Sequence, residues 1–133
     1  MAYVEVLIGA VVAFGLGFLW YTALFGKVWK AESGVTDEQA QSDMARTHGL
    51  AFLMIAILCY GVNTYINYHE VAEQTFTHGG FHGGMLALIY ALPAVAINYL
   101  YQKKSLKLFL IDGAYILAFM ALAGAVMAAL KLG

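Results

Sequence analysis

The stretch LKLFLIDGAYILAFMALAGAVMAAL, residues 106–130, decides the fold of this chain. It is apolar almost throughout, and Asp112 is its one carboxylate. As a helix rising about 1.5 Å per residue, it is long enough to cross the roughly 30 Å hydrocarbon layer of a bilayer. The stretch therefore predicts a transmembrane helix.

Three further stretches have the length and composition of a membrane span, at about residues 3–24, 49–68 and 79–101. The chain has 133 residues, of which 62% are hydrophobic and 11% charged, whereas soluble domains are about half apolar and a quarter charged. A chain this short cannot bury so much apolar surface in one core. We expect an all-α bundle of four antiparallel transmembrane helices that forms a single domain over residues 1–133, with the lipid bilayer as its partner.

The basic residues are distributed unevenly over the predicted connections and give the orientation. With four spans, the first and third connections share one side of the membrane, and both termini share the other side with the second connection. Six of the seven basic residues lie on the first side, namely Lys27, Lys30, Arg46, Lys103, Lys104 and Lys107; Lys131 lies on the second. Because basic loops stay in the cytoplasm, both termini are expected outside. The net charge of −1 gives no basic field for nucleic acid.

Two local signals refine this topology. Thr36 and Gln39 in TDEQ have the spacing of a capping box, which predicts a short helix from about Asp37 in the first connection. Pro93 lies within the third span, where it removes one helical hydrogen bond and is expected to kink the helix.

Histidines concentrate where the third span enters the membrane. The stretch THGGFHGG, residues 77–84, places His78 and His82 one helical turn apart, as in zinc sites built on a helix. In the preceding connection, His69 together with Glu73 or Glu70 is a candidate for completing a tetrahedral ligand set. The sequence requires no cofactor, and a divalent metal is the one candidate. The alternatives are a hydrated, hydrogen-bonded cluster at the membrane surface and a pH sensor.

Glycines and polar residues inside the spans form the remaining candidate sites. Small residues spaced four apart allow close helix packing in lipid, and the candidates are Gly79, Gly80, Gly83 and Gly84, with Gly17 on the first span. Polar side chains within spans are costly and often functional; here they are Asn63, Asn67, Asn98 and Asp112. For Asp112, hydrogen bonding to Asn98 or a tyrosine competes with a proton- or cation-handling role.

Two segments, LGFLWYTALFGKVW at residues 16–29 and INYLYQKKSLKLFLIDGAY at residues 97–115, resemble a bacterial membrane family. This is the family known as domain of unknown function 1761, small proteins with four predicted spans. The resemblance covers essentially the whole chain and implies a multi-pass protein of the bacterial inner membrane. The family commonly has asparagine where Asp112 stands, which implies a hydrogen-bonding position.

The function stays open among three classes. The first is a non-enzymatic membrane protein that works through helix packing, as a homo-oligomer or as a small subunit of a membrane complex. The second is a transporter or channel for ions or small solutes with a path lined by the four polar residues above, and the third is an outer-face metal-binding protein. The chain is expected not to be an enzyme, because Ser33, Ser42 and Ser105 lack a neighbouring histidine–acid arrangement.

Overall fold

A computed structural model describes residues 2–130 as a bundle of four long helices. Helix α1 (Ala2–Leu19) is extended by a π-helical segment, Trp20–Leu24, and helix α4 spans Met44–Asn67. Helix α5 (Phe76–Leu86), a second π-helical segment (Ala87–Ala91) and helix α6 (Leu92–Tyr101) form one continuous rod. Helix α7 covers Leu106–Leu130. Each of the four rods is long and apolar enough to cross a membrane.

The second and third rods begin earlier than the hydropathy pattern alone indicates. Helix α4 begins at Met44, ahead of Gly49, and α5 begins at Phe76, ahead of Gly79. In both cases the extra turn contains polar residues, because helices continue past the hydrocarbon layer while backbone hydrogen bonds can still form. Hydropathy indicates the apolar part of a helix and does not locate its ends.

Two short helices cover one end of the bundle. Helix α2 (Gly26–Ser33) ends at Gly34, which takes the left-handed conformation with φ 74° that a helix C-terminus favours. Helix α3 (Asp37–Gln41) begins with the predicted capping box: the Thr36 hydroxyl accepts from Gln39 N, and the Gln39 side chain accepts from Thr36 N. The same end carries the α6–α7 turn with Lys103 and Lys104, and we call it the lysine end. The opposite end carries the α4–α5 connection and is called the histidine end.

The π-helical segment before Pro93 shows how the third rod accommodates a proline. Pro93 lies in the first turn of α6, directly after the wide turn Ala87–Ala91. A proline cannot donate the hydrogen bond of a regular α-helix, and a π-helical turn shifts the bonding pattern so that the chain continues as a helix.

The closest helix contact in the bundle joins α5 to α7 through glycines. A Cβ added at Gly79 would overlap the carbonyl oxygen of Gly124, and one added at Gly83 would overlap the carbonyl oxygen of Met120. At Gly84 the nearest atoms lie 3.7 Å away, an ordinary contact. Only glycine therefore allows the two backbones to approach this closely at the first two positions.

The remaining two candidate packing glycines differ: Gly80 has more space around it, and Gly17 lies against a side chain. A Cβ at Gly80 would lie 3.4 Å from the Ala125 Cβ. A Cβ at Gly17 would lie 2.6 Å from the hydroxyl oxygen of Tyr115, and that hydroxyl donates to the carbonyl oxygen of Ala13 over 2.8 Å. Gly17 thus makes room for a buried tyrosine that ties α7 to α1.

The outer surface of the rods is apolar. Large hydrophobic side chains are exposed on each of them, among them Leu7, Phe18, Leu53, Ile57, Leu88 and Leu110. A soluble protein of this size does not leave so much apolar surface in water. Together with four rods of spanning length, this surface makes the chain a multi-pass membrane protein. Lys131, the seventh basic residue, lies outside the described residues.

Candidate metal centre

Three histidines meet at the histidine end because of how α4 joins α5. His69 follows the last turn of α4, and its carbonyl oxygen accepts a hydrogen bond from the Gln74 side chain over 3.0 Å. A short 3-10 turn, Val71–Glu73, then leads to Thr75, whose hydroxyl caps α5 by accepting from His78 N. The cap starts α5 in a register that places His78 and His82 on one face.

The three imidazoles lie against one another. The ring centroids of His69 and His82 are 4.3 Å apart, as are those of His78 and His82, and those of His69 and His78 are 5.4 Å apart. One ring nitrogen of each lies within 4.8 Å of one ring nitrogen of each of the others. His82 is therefore the central member, with the other two on either side.

The two outer histidines are oriented by main-chain oxygens. Nδ1 of His69 lies 3.2 Å from the carbonyl oxygen of Tyr65, and Nδ1 of His78 lies 2.8 Å from the carbonyl oxygen of Glu73. A carbonyl oxygen only accepts, so in both rings Nδ1 carries the proton and Nε2 keeps its lone pair. In most known sites, a metal-binding histidine likewise donates its other ring N–H to an oxygen, which fixes the orientation of the ring.

His82 is buried without a hydrogen-bond partner. Its side chain is only 8% exposed, and neither ring nitrogen has a partner among residues 2–130. Leaving a buried donor or acceptor unpaired costs about 1–3 kcal/mol, and such groups are rare in native proteins. Tyr65 and Phe81 pack against the ring with centroids 5.2 and 5.4 Å away, so its surroundings are aromatic. An ion bound to one ring nitrogen of His82 would satisfy that nitrogen and remove its share of this cost.

The donor set suits a transition metal. Neutral imidazole binds zinc, copper, nickel and iron, and three histidines with an open fourth position form a known zinc arrangement. Two nitrogens bound to one tetrahedral zinc lie about 3.4 Å apart, given bonds of roughly 2.05 Å. The three rings would have to close by on the order of 1 Å, which side-chain rotation supplies. The residues present therefore fit the ion.

Glu73 contributes to the histidine cluster through its main-chain oxygen and not through its carboxylate. Its side chain is exposed and its carboxylate does not belong to the three-residue group, while its main-chain oxygen orients His78. The sequence suggested a fourth ligand here, and the structure places an orienting carbonyl. The sequence could not indicate this contact, because any residue type at this position has the same main-chain oxygen. Only the conformation of the turn between α4 and α5 determines it.

The four polar residues within the spans do not form one group: Asn63 and Asn67 lie together, and Asp112 lines a different cavity. Asn63 is buried and donates from Nδ2 to Oε2 of Glu5 over 3.1 Å. Asn63 and Asn67 both line a cavity of about 300 Å³ at the histidine end, while Asn98 is exposed on α6. Asp112 lies toward the lysine end. Glu5, in the first turn of α1, is only 2% exposed.

Asp112 is a junction of three aromatic side chains. Its Oδ1 accepts from the Tyr21 hydroxyl over 2.6 Å and from Trp29 Nε1 over 3.1 Å, and its Oδ2 accepts from the Tyr99 hydroxyl. These donors come from the end of the first rod, from α2 and from α6. The tyrosine partner expected from the sequence is present, and Asn98 makes no hydrogen bond to the carboxylate. The aspartate therefore joins three elements to α7.

Comparison with known proteins adds a family and no activity. The family described as "Protein of unknown function (DUF1761)" matches residues 4–128, nearly the whole chain. Among curated proteins and among solved structures, none matches.

Proposed function

The chain belongs to the DUF1761 family of proteins of unknown function, and we propose that it is a membrane protein that binds one divalent transition-metal ion at the surface of the bilayer. His69, His78 and His82 hold the ion. The role is not enzymatic: the protein keeps a metal ion at a fixed place on the membrane.

One observation carries the proposal, the buried and unpartnered imidazole of His82. A hydrated polar cluster accounts less well for this side chain, because protein atoms shield both ring nitrogens from solvent. A metal ion accepts a nitrogen lone pair in place of a hydrogen bond. The neighbouring rings already present their Nε2 lone pairs, since Nδ1 in each is engaged by a carbonyl oxygen.

The location of the centre determines what the ion meets. His69 and His78 are half-buried at the edge of the bundle, so the fourth coordination position opens toward the aqueous side. A bound ion supplies a Lewis acid and a local positive charge beside the headgroups. We place the centre and both termini outside a bacterial inner membrane, supported by the six basic residues at the opposite end.

A homo-oligomer or a small subunit of a membrane complex is the assembly that we propose for this protein. Gly15 on α1 and Gly61 on α4 face outward, and a Cβ on either would meet nothing within 4 Å. Small outward residues allow another helix to approach closely in lipid.

Metal content of the purified protein tests the function. The protein in lipid nanodiscs is incubated separately with zinc, copper, nickel and iron, washed, and analysed by inductively coupled plasma mass spectrometry. We expect about one tightly held ion per chain. His82→Ala is expected to lower affinity at least about tenfold, since even outer-shell changes cost 10–100-fold.

His48→Ala is the matched control, because His48 is an exposed histidine at the start of α4 whose Nδ1 lies 2.8 Å from the Met44 carbonyl oxygen. It should retain full metal content. Wild-type protein that holds none of the four ions, or equal content in the His82→Ala variant, would contradict the proposal.

A further inference from the structure

The lysine end contains a cavity of about 450 Å³ that is independent of the histidine centre. Its polar lining includes Trp29, Glu32, Tyr99, Lys103, Lys104 and Asp112. Cavities of roughly 300–1,000 Å³ with a few convergent polar groups are the usual form of small-ligand sites. The charged residues that line this cavity indicate which class of ligand it binds.

Local structure builds the cavity between α2 and the α6–α7 turn. Lys103 adopts a left-handed conformation with φ 59°, which turns the chain sharply after α6. Ser105 then caps α7, accepting from Leu108 N over 3.1 Å, and its hydroxyl donates to Glu32 of α2 over 3.0 Å. The cavity walls are thus fixed by main-chain and side-chain hydrogen bonds.

The two lysines at the rim have no acidic partner. Among residues 2–130 the ion pairs at this end join Lys107 to Glu32 at 3.8 Å and Lys30 to Asp37 at 2.5 Å. Lys103 and Lys104 therefore bring two positive charges to the rim. The Lys104 ammonium lies over the Tyr99 ring, 4.7 Å from its centroid, which keeps it at the cavity.

Asp112 on the floor retains one acceptor position. A carboxylate has about four positions for hydrogen-bond donors, and three are filled by Tyr21, Trp29 and Tyr99. Oδ1 accepts two of these bonds and Oδ2 accepts one. The free position on Oδ2 suits a charged donor, because the carboxylate is held only by neutral groups.

We propose that this cavity binds the headgroup of an ethanolamine phospholipid. Lys103 and Lys104 hold the phosphate, and the primary ammonium donates to Oδ2 of Asp112. The cavity lining carries two lysines and two carboxylates, so it complements a zwitterion better than a simple anion. A choline headgroup has no N–H to donate and leaves the Asp112 position unfilled.

The surroundings favour a lipid over a soluble phosphate compound. The cavity lies between α2 and the ends of α6 and α7, the two helices that meet at one membrane surface when the rods span the bilayer. Leu106 and Tyr101, which flank the lining residues 103–105 in sequence, are exposed to 72% and 83%, and acyl chains leaving the cavity would cover them. Basic pockets between transmembrane helices are a known form of headgroup site.

Retention of lipids tests the proposal. The protein is purified in detergent after exposure to equal amounts of ethanolamine, glycerol and choline phospholipids with the same acyl chains, and bound lipid is counted by native mass spectrometry. Ethanolamine lipid should be retained at least about tenfold over choline lipid, the effect of one hydrogen bond to a charged group. Equal retention of these two lipids would overturn the proposal.

Variants separate the two halves of the headgroup. In the double variant Lys103→Gln/Lys104→Gln, retention of ethanolamine lipid should fall at least about tenfold, while Lys27→Gln, an exposed lysine outside the cavity, should change nothing. Asp112→Asn should keep the phosphate contact and lose the preference over choline lipid. If Asp112→Asn does not fold, the lysine variants decide alone, since both side chains are exposed.

A soluble headgroup distinguishes the two sources of the ligand. Glycerophosphoethanolamine has the same phosphate and ammonium without acyl chains. It should compete only weakly, at concentrations at least about a hundredfold higher than the diacyl lipid, because buried acyl CH₂ groups each add about 0.8 kcal/mol. Equal affinity of the two compounds would overturn the assignment to a lipid.

Discussion

At the scale of single residues, the buried hydrogen bond between Glu5 and Asn63 is a contact on which the stability of this fold depends. Their side chains are both 2% exposed and meet over 3.1 Å, although the residues are 58 positions apart. A carboxyl group inside the apolar part of a bundle needs a donor, and Asn63 is the one that the structure supplies. The sequence shows both residues and gives no sign that they meet.

Removing this donor has a defined expected effect. Asn63→Ala leaves the Glu5 carboxyl group buried without its partner, so the free energy of unfolding should fall by about 1–3 kcal/mol. Asn67→Ala, an exposed asparagine one turn further along α4, should stay within about 0.5 kcal/mol of wild type. Thermal unfolding in detergent, followed by circular dichroism, makes the comparison. Equal effects of the two substitutions would show that the Glu5–Asn63 bond contributes nothing.

At the scale of elements, the α5–α7 contact depends on two glycines out of four. Gly83→Ala adds a methyl group where the Met120 carbonyl oxygen already lies, and a backbone atom cannot move aside as a flexible side chain can. The cost is expected to be about 1–3 kcal/mol or more, as for other overpacked sites. The bundle should loosen along its tightest seam.

Gly84→Ala is the matched control for this prediction. Its added methyl group would meet Ala121 and Leu117 at 3.7 Å, so stability should be unchanged or slightly higher. Unfolding in sodium dodecyl sulfate, measured by tryptophan fluorescence for both variants side by side, distinguishes the positions. A Gly83→Ala protein as stable as Gly84→Ala would mean that the helices can separate at no cost.

The elements show what the sequence could and could not provide. Length and hydropathy predicted the four rods, and TDEQ predicted the start of α3, because both are local properties of the chain. The i, i+4 spacing brought His78 and His82 together for the same reason. His69 joined them through a turn, and Glu73 contributed a main-chain oxygen; neither contact has a local signature. On α5 the glycine pattern indicated four packing positions, and only the register of α7 separates the tight ones from the loose ones.

At the scale of the whole molecule, the asymmetry between the two ends gives a test of orientation. Cys59 is the single cysteine and is 1% exposed, so the wild-type chain provides a silent background for thiol labelling. Glu70→Cys at the histidine end and Gln102→Cys at the lysine end are both exposed positions. In intact cells a membrane-impermeant maleimide should label the first and spare the second, following the distribution of positive charge.

Labelling after cell lysis provides the control, since both positions should then react. The opposite pattern in intact cells would place the histidine centre in the cytoplasm. It would reverse the proposed orientation and leave the metal site itself unaffected, because His69, His78 and His82 lie together whichever way the bundle faces.

The two π-helical segments have a consequence for how the chain tolerates changes of length. A π turn holds one residue more than an α turn, so everything downstream is rotated by about 100° relative to an uninterrupted helix. The segment Ala87–Ala91 lies between His82 and Tyr99 in one rod, and it sets the angle between the face that carries the histidine and the face that carries the phenol. Deleting one residue there would leave composition and hydropathy almost untouched and yet swing Tyr99 away from Asp112. In this rod the number of residues between His82 and Tyr99, more than their identity, determines how the side chains at the two ends are oriented relative to each other.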